Sequence, residues 1–168
     1  MEQQKTVTNF GKKETGIITA WWESLSSTPG DRARLRRCRS PAQVCFEPAF
    51  HRLITALGPI GEKYPDRIAA IVGVLSHVRT NIPSTKFATL MGSAKEKMKK
   101  ARVSGLRFRR LIQYSDREEL YLPLIRMVAM VDNSANVADL AESIYWWNER
   151  TKKDWAFAYY KSAPNDEV

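Results

Sequence analysis

The segment from Arg32 to Arg39 contains five arginines among eight residues. In a helix, where each residue turns by about 100°, Arg36 lies on the same side as Arg32 and Arg39. Leu35 and Cys38 then face inward. Such a helix repels itself unless anions neutralise it, and the phosphates of a nucleic acid are the partner that the pattern favours. The alternative is a solvated surface paired with nearby carboxylates, of which the sequence offers Asp31, Glu23 and Glu47.

A second basic run extends from Lys95 to Arg110. It holds eight lysines and arginines against the single Glu96, a net charge of +7 in 16 residues. Phe108, followed by Leu111 and Ile112 at helical spacing, predicts one buried helix face, so the arginines occupy the other side. Arginines on a packed helix, preceded by lysines on flexible chain, suit backbone phosphates, whereas the alternative is a basic surface kept for solubility. The predicted binding residues here are Arg102, Arg107, Arg109 and Arg110.

Three further arginines, Arg67, Arg117 and Arg126, lie singly beside apolar helix faces. Taken alone, such residues are typical of surface ion pairs, which contribute little to stability. Their spacing by itself therefore predicts no nucleic-acid contact.

The overall composition narrows the class of protein. Of 168 residues, 43% are hydrophobic and 27% are charged, which is typical of a folded globular chain. Lysine plus arginine number 27 against 18 aspartates and glutamates, and the net charge of +9 favours a polyanionic partner. No apolar stretch approaches the roughly twenty residues of a membrane span, and no leader segment is evident, so a cytoplasmic protein is predicted.

The aromatic residues form clusters at Trp21–Trp22, Tyr145–Trp147 and Trp155–Tyr160. Each cluster follows helical spacing among aliphatic neighbours, which predicts core positions rather than platforms for stacked bases. Because the basic runs contain almost no aromatics, we expect contacts to backbone phosphates and little sequence preference.

The sequence lacks catalytic motifs. His51 and His77 have no acidic residue or cysteine at metal-ligand or catalytic spacing, and no phosphate-binding glycine loop occurs. Neither a metal nor a cofactor is expected, and the chain is not expected to be an enzyme. A thiol-dependent hydrolase using Cys45 and His51 is a minor alternative, because these residues lie six positions apart.

The apolar periodicity predicts an all-α protein with two small helical-bundle domains packed together and about eight to nine helices. Residues 67–79 are expected to form the central helix of the N-terminal core. Pro123 is compatible only with a first turn or a kink, so its helix is expected to begin near Leu120. The predicted organisation is a flexible tail (1–13), an N-terminal helical domain (14–92), a basic linker (93–104), a C-terminal helical bundle (105–162) and a disordered tail (163–168).

Several separated blocks of the sequence resemble a known family. They are Ala20–Leu25, Gly30–Cys38, Ser40–Pro41 and Pro48–Leu53 in the first half, and Ser104–Ile112, Arg117, Leu124–Arg126 and Trp146–Trp147 in the second. In this order they resemble the CasB family, the small subunit of the type I-E CRISPR surveillance complex Cascade. The resemblance extends from about Ile17 to Tyr160, although the Lys12–Lys13 tail and the lysines of 95–100 have no counterpart in it.

The resemblance implies two helical domains, a second copy of the chain within the complex and no catalytic role. It implies that basic residues contact backbone phosphates of the guide RNA, the target DNA and the displaced non-target strand in antiviral defence, alongside other Cascade subunits. The alternative is a purely structural protein–protein adaptor with basic docking faces. The matching positions and the helix faces together predict nine nucleic-acid-binding residues: Arg36, Arg37, Arg67, Arg102, Arg107, Arg109, Arg110, Arg117 and Arg126.

Overall fold

A computed structural model describes residues 9–95 and 97–168. Within these residues the chain forms eleven α-helices, two short 3₁₀ turns and one two-stranded sheet. The predicted all-α class is confirmed. The helices outnumber the eight or nine expected, partly because Pro59–Lys63 forms a short helix where the Gly58-Pro59 and Gly61 signals predict a break.

Seven of these helices precede residue 93. They are α1 (Lys12–Ser24), α2 (Pro29–Arg37), α3 (Pro41–Val44), α4 (Pro48–Leu57), α5 (Pro59–Lys63), α6 (Pro65–Leu75) and α7 (Phe87–Gly92), with a 3₁₀ turn at Leu25–Ser27 and strand β1 at Thr80–Asn81.

Four helices follow. They are α8 (Gly105–Leu111), α9 (Arg117–Met130), α10 (Val137–Tyr145) and α11 (Glu149–Ser162), with strand β2 at Ser134–Ala135 and a 3₁₀ turn at Asn165–Glu167. The two strands pair in parallel, Thr80 opposite Ser134 and Asn81 opposite Ala135, and so connect the two halves of the chain.

Most helix starts are fixed by local chemistry. Proline occupies the first position of each helix from α2 to α6, where its missing N–H costs nothing and its φ angle is already helical. Later helices begin after side chains that accept a backbone N–H, namely Ser104, Asp116, Asn136 and Asn148.

The apolar pattern predicts a helix over 117–131, and its start is confirmed, whereas the later start near Leu120 that Pro123 suggests is wrong. Asp116 caps the helix at Arg117, three residues before Leu120, and Pro123 lies inside it beyond the first turn. Pro123 offers no N–H to the carbonyl of Glu119, but Glu119 is exposed to solvent, which can supply the missing partner.

Helix α6 is the centre of the core. Every residue from Ile68 to Leu75 is buried, as expected for the central helix, although α6 ends at Leu75 rather than near Arg79. It packs against α3, α9 and α10. Gly73 permits the closest approach, since a Cβ there would lie 2.2 Å from the hydroxyl oxygen of Tyr121. That hydroxyl donates to the carbonyl of Cys38 at 3.0 Å, so one tyrosine joins α6, α9 and the end of α2.

The buried side chains of both halves form a single hydrophobic cluster. Helices α1 and α6 of the first half pack directly against α10 of the second. The division into two domains stays a prediction, and the cores of the two predicted domains are continuous.

The segment 93–104, expected to be a linker, folds back on itself. Ala94 and Ala101 form an antiparallel bridge, and the Arg102 N–H donates to the Ser93 carbonyl at 2.9 Å. Val103 is fully buried, and its carbonyl accepts from the Tyr159 hydroxyl at 2.5 Å. The end of this segment therefore belongs to the core.

Both predicted tails carry ordered contacts. Helix α1 begins at Lys12, and Phe10 is buried with its ring stacked on Tyr145 at 3.9 Å, because an apolar ring gains by leaving water. The Glu167 carboxylate accepts from the Gly105 N–H at 2.6 Å. Residues 1–8 of the predicted N-terminal tail lie outside the described residues.

Candidate nucleic-acid interface

Helix α2 presents its arginines as its sequence predicts. Leu35 and Cys38 are buried in the core, whereas Arg36 and Arg37 are exposed. The apolar pair fixes the rotation of the helix about its axis. The two guanidinium groups therefore extend toward solvent from a packed support.

Two of the three nearby carboxylates, Asp31 and Glu47, pair with other arginines, and Glu23 forms no ion pair among the described residues. The Asp31 carboxylate contacts both Arg34 and Arg52, and the Glu47 carboxylate accepts from Arg34 Nε at 3.2 Å. In the described part of the chain, no carboxylate lies within ion-pair distance of Arg36 or Arg37. The positive charge of this face is therefore not neutralised by a carboxylate of the described residues.

Helix α8 provides a second exposed arginine face. Phe108 is fully buried and its ring stacks on Tyr159 at 4.0 Å with an interplanar angle of 2°. Leu111 is buried beside it. The predicted Arg107, Arg109 and Arg110 are exposed on the same helix, as is Leu106. Aromatic packing therefore holds this face in place.

Arg67, on α6, lies among aromatic rings. Its guanidinium carbon is 4.2 Å from the ring centre of Tyr64, 5.0 Å from that of Tyr145 and 5.8 Å from that of Trp146. The ring faces attract the cation and restrict its orientation. Arg67 is half-buried, so one side of the group remains open.

Arg117 lies close to Arg67 and already has a structural role. Its Nε and Nη2 atoms donate to the carbonyls of Ile144 and Tyr145 at 2.7 and 2.6 Å, at the end of α10. Burial, and then the charge of Arg67, lower the pKa of Arg117 to about 10. Both arginines line a cavity of about 540 Å³ together with Lys63.

The last two predicted residues differ in their surroundings. Arg102 donates to the Asp132 carboxylate at 2.6 Å, so its charge is matched within the chain. Arg126 on α9 is exposed. The exposed lysines of the 93–104 loop, Lys95, Lys97, Lys99 and Lys100, add positive charge between α7 and α8.

Comparison with known proteins identifies the family. The profile of the CRISPR-associated protein Cse2 family matches residues 31–160, most of the chain. The chain belongs to the Cse2 family. The resemblance to the Cascade small subunit is thereby confirmed.

The fold is similar to that of a chain in the crystal structure of Escherichia coli Cascade bound to a PAM-containing double-stranded DNA target. The TM-score is 0.69 at 20% identity, over 88% of this chain and 93% of that one. At 20% sequence identity, this similarity establishes a shared fold. No curated protein matches the sequence.

The aromatic residues of this Cse2 chain lie mostly in the core. Trp21, Trp22, Tyr145, Trp147 and Trp155 are buried, as predicted. The prediction is wrong for Phe157, which is 80% exposed on the side of α11 that faces solvent. Trp155 and Tyr159, which lie two positions before and after it, are buried because they are on the opposite face of that helix.

The Cys45 and His51 pair does not form a catalytic contact. The Nε2 atom of His51 lies 2.7 Å from the carbonyl oxygen of Cys45, and the Cys45 thiol donates to the Pro41 carbonyl. Burial, and then the charge of Asp66, raise the pKa of the Cys45 thiol. A raised pKa opposes formation of the nucleophilic thiolate, so the geometry gives the hydrolase alternative no support.

Arg32 and Arg79, near the α2 face, are absent from the predicted set. Arg32 is half-buried against Trp22, and Arg79 follows α6 beside it. Sequence spacing places Arg32 on the arginine side of α2, but nothing local connects it to Arg79, which is 47 positions away.

None of the helices in the described residues has the length and the apolar character that a membrane-spanning helix requires.

Proposed function

We propose that this Cse2 protein is the non-catalytic small subunit of a type I-E Cascade complex in antiviral defence. In this proposal it stabilises the guide RNA, the target DNA and the displaced non-target strand by arginine–phosphate contacts. It works in the cytoplasm beside other Cascade subunits and a second copy of itself. The observation that carries the proposal is the pair of exposed arginine faces on α2 and α8. The predicted arginines of these faces form no ion pair with a carboxylate of the described residues.

The predicted residues take unequal parts. Arg36, Arg37, Arg107, Arg109, Arg110 and Arg126 are exposed and form the main phosphate contacts. Arg67 and Arg117 act together at their shared cavity, where the remaining N–H groups of Arg117 are available to an oxyanion. Arg102 contributes least, because Asp132 competes for its guanidinium.

Modest contacts of this kind are sufficient for the task. The RNA–DNA duplex formed in an R-loop is about as stable as the DNA duplex that it replaces. A few kcal/mol from backbone contacts therefore shift the balance toward the open state. Since phosphates are common to all sequences, the subunit stabilises opening without choosing the target.

A salt titration tests the proposal. The full chain is mixed with a fluorescent single-stranded DNA of about 30 nucleotides, and anisotropy is followed as salt increases. If each chain neutralises about four phosphates, log affinity falls against log salt with a slope of about −3. Arg110→Ala and Arg126→Ala each reduce that slope by roughly 0.7, whereas the control Arg150→Ala, on α11, leaves it unchanged.

Two results would contradict the proposal. Absence of binding even at low salt would favour the protein–protein adaptor. A change in target preference as large as the change in affinity, measured for Arg110→Ala in the assembled complex, would mean that this residue reads bases rather than phosphates.

A further inference from the structure

Trp22 joins the arginine helix α2 to a segment that carries a further arginine and a histidine. The Trp22 indole N–H donates to the Val78 carbonyl at 3.0 Å, and the Arg32 guanidinium carbon lies 5.9 Å from the centre of the same ring. Trp22 thus joins α2 to the segment after α6, which carries His77 and Arg79 on either side of Val78.

The backbone holds this arrangement in place. The Arg79 N–H donates to the Asn133 carbonyl at 2.7 Å, which ties the segment to the start of β2. Arg36 lies one helical turn from Arg32, on the same side of α2. Arg36 and Arg79 are exposed and Arg32 is half-buried, so the cluster opens to solvent.

Two polar atoms of the cluster have no hydrogen-bond partner among the described residues. They are Nε of Arg32 and Nε2 of His77, both inaccessible to solvent. A buried polar atom without a partner is costly, so its presence in a native fold requires an explanation, such as a bound water or ion. Within residues 9–95 and 97–168, no acceptor lies within hydrogen-bond distance of the Arg32 Nε–H.

The charges of the cluster are also uncompensated. Asp31, the carboxylate nearest in sequence, is engaged by Arg34 and Arg52. Burial, then Arg36, then Arg79 lower the pKa of Arg32, and burial, then Arg36, lower the pKa of His77 to about 4. Both shifts arise first from burial, and the charges of the neighbouring arginines add to it.

We propose that Arg32, Arg36 and Arg79, with His77 beneath them, form a binding site for a phosphate oxyanion. Arg36 and Arg79 grip the oxygens from the solvent side, and Arg32 completes the site from its half-buried position. Guanidinium groups suit this ligand, because each offers parallel N–H donors to a pair of phosphate oxygens. The proposal rests on the proposed function, in which the ligand is a backbone phosphate of a single strand.

The experiment uses two probes, so that the site and the function are judged separately. NMR spectra of the ¹⁵N-labelled full chain are recorded during titration with inorganic pyrophosphate and, in parallel, with a short single-stranded DNA. We expect the Arg32 Nε and His77 ring signals to shift with both probes. Acetate at equal ionic strength is the carboxylate control and is expected to leave them in place.

Arg36→Gln and Arg79→Gln are the test variants, since both side chains are exposed. Each is expected to weaken pyrophosphate binding about fivefold, the effect of one hydrogen-bonded contact, and Arg150→Gln on α11 is the charge-matched control. The melting temperature of Arg79→Gln without ligand is expected to equal or exceed that of the parent chain, because one like charge beside Arg32 is removed. A merely structural Arg79 would instead lower it.

Each outcome has a distinct meaning. Pyrophosphate shifts without DNA binding support the site and contradict the proposed function. DNA binding that Arg79→Gln weakens no more than Arg150→Gln does supports the function and overturns the site, because Arg79 is not among the residues of the proposed function. An equal response to acetate would make the cluster a docking point for acidic side chains and would also overturn the proposal.

Discussion

The exposed arginines of α2 and the arginines at positions 102 and 117 of the second half carry the same guanidinium group, but they differ in their partners within the chain. Arg36 and Arg37 project from a helix whose neighbouring carboxylates Asp31 and Glu47 bind other arginines. Arg117 instead donates to two carbonyls at the end of α10, and Arg102 pairs with Asp132. The guanidinium group therefore serves both folding and binding in one small protein, and its partners distinguish the two roles.

The largest effect on stability is expected at Arg117. Arg117→Ala leaves the Ile144 and Tyr145 carbonyls without donors in a half-buried place, and we expect a loss of about 3 kcal/mol in the free energy of unfolding. Urea denaturation measures it. Arg126→Ala, an exposed arginine on the same helix, is the control and should change stability by less than about 0.5 kcal/mol. If both variants lost the same free energy of unfolding, structural and exposed arginines could not be distinguished in this way.

The next effect depends on pH and concerns the α2 region. Burial, with the charge of Arg36, lowers the pKa of His77 from 6.5 to about 4. The unfolded chain therefore binds more protons than the native chain between these values, so stability falls as pH falls from 6.5 toward 4. We expect this histidine to account for a loss of about 2 kcal/mol between pH 7 and pH 5.

Urea denaturation of the parent chain and of His77→Gln at both pH values measures this contribution. The glutamine variant should lack the loss, while His51→Gln, which changes the other histidine, should retain it. If His77→Gln loses as much stability on acidification as the parent chain, the histidine is not held neutral in the fold, and the α2 region is less crowded with charge than we infer.

Much of the fold follows from local signals in the sequence. Proline at the first helical position marks the starts of α2, α4 and α6, and the apolar run 68–75 identifies the central helix. Local capping explains the wrong start of α9, and other errors arise where tertiary contacts decide. Phe10 belongs to the core only because Tyr145, far along the chain, offers a face on which its ring can stack.

The candidate site shows the same division. Helical spacing correctly places Leu35 and Phe108 inward and the neighbouring arginines outward. Spacing could not reveal that Asp132 would pair with Arg102, or that α10 would end beside Arg117. Spacing also could not predict that Arg79 lies near Arg32. The two are brought together by the hydrogen bond from Trp22 to the Val78 carbonyl, and these residues are 56 positions apart in the sequence.

Arg67 combines features of the structural arginines and of the exposed, phosphate-binding arginines. Its substitution should therefore affect both stability and single-strand binding. Its guanidinium is held by three aromatic rings but keeps an open side. We expect Arg67→Ala to cost about 1 kcal/mol of stability through lost cation–π contact and also to weaken single-strand binding a few-fold. Arg67→Lys should recover more of the stability than of the binding, because lysine cannot form a bidentate contact. Loss of stability alone would assign Arg67 to the structural class.

The smallest effect is expected at Arg102. Its partner Asp132 is 67% exposed, and ion pairs in such surroundings contribute less than about 1 kcal/mol because water screens them. A double-mutant cycle with Arg102→Gln and Asp132→Asn measures the coupling, and asparagine is chosen because residue 132 has a φ of 60°, which asparagine tolerates. Asp132→Asn should also strengthen single-strand binding slightly, since it releases Arg102 for a phosphate. Stronger coupling, with no gain in binding, would make Arg102 as structural as Arg117.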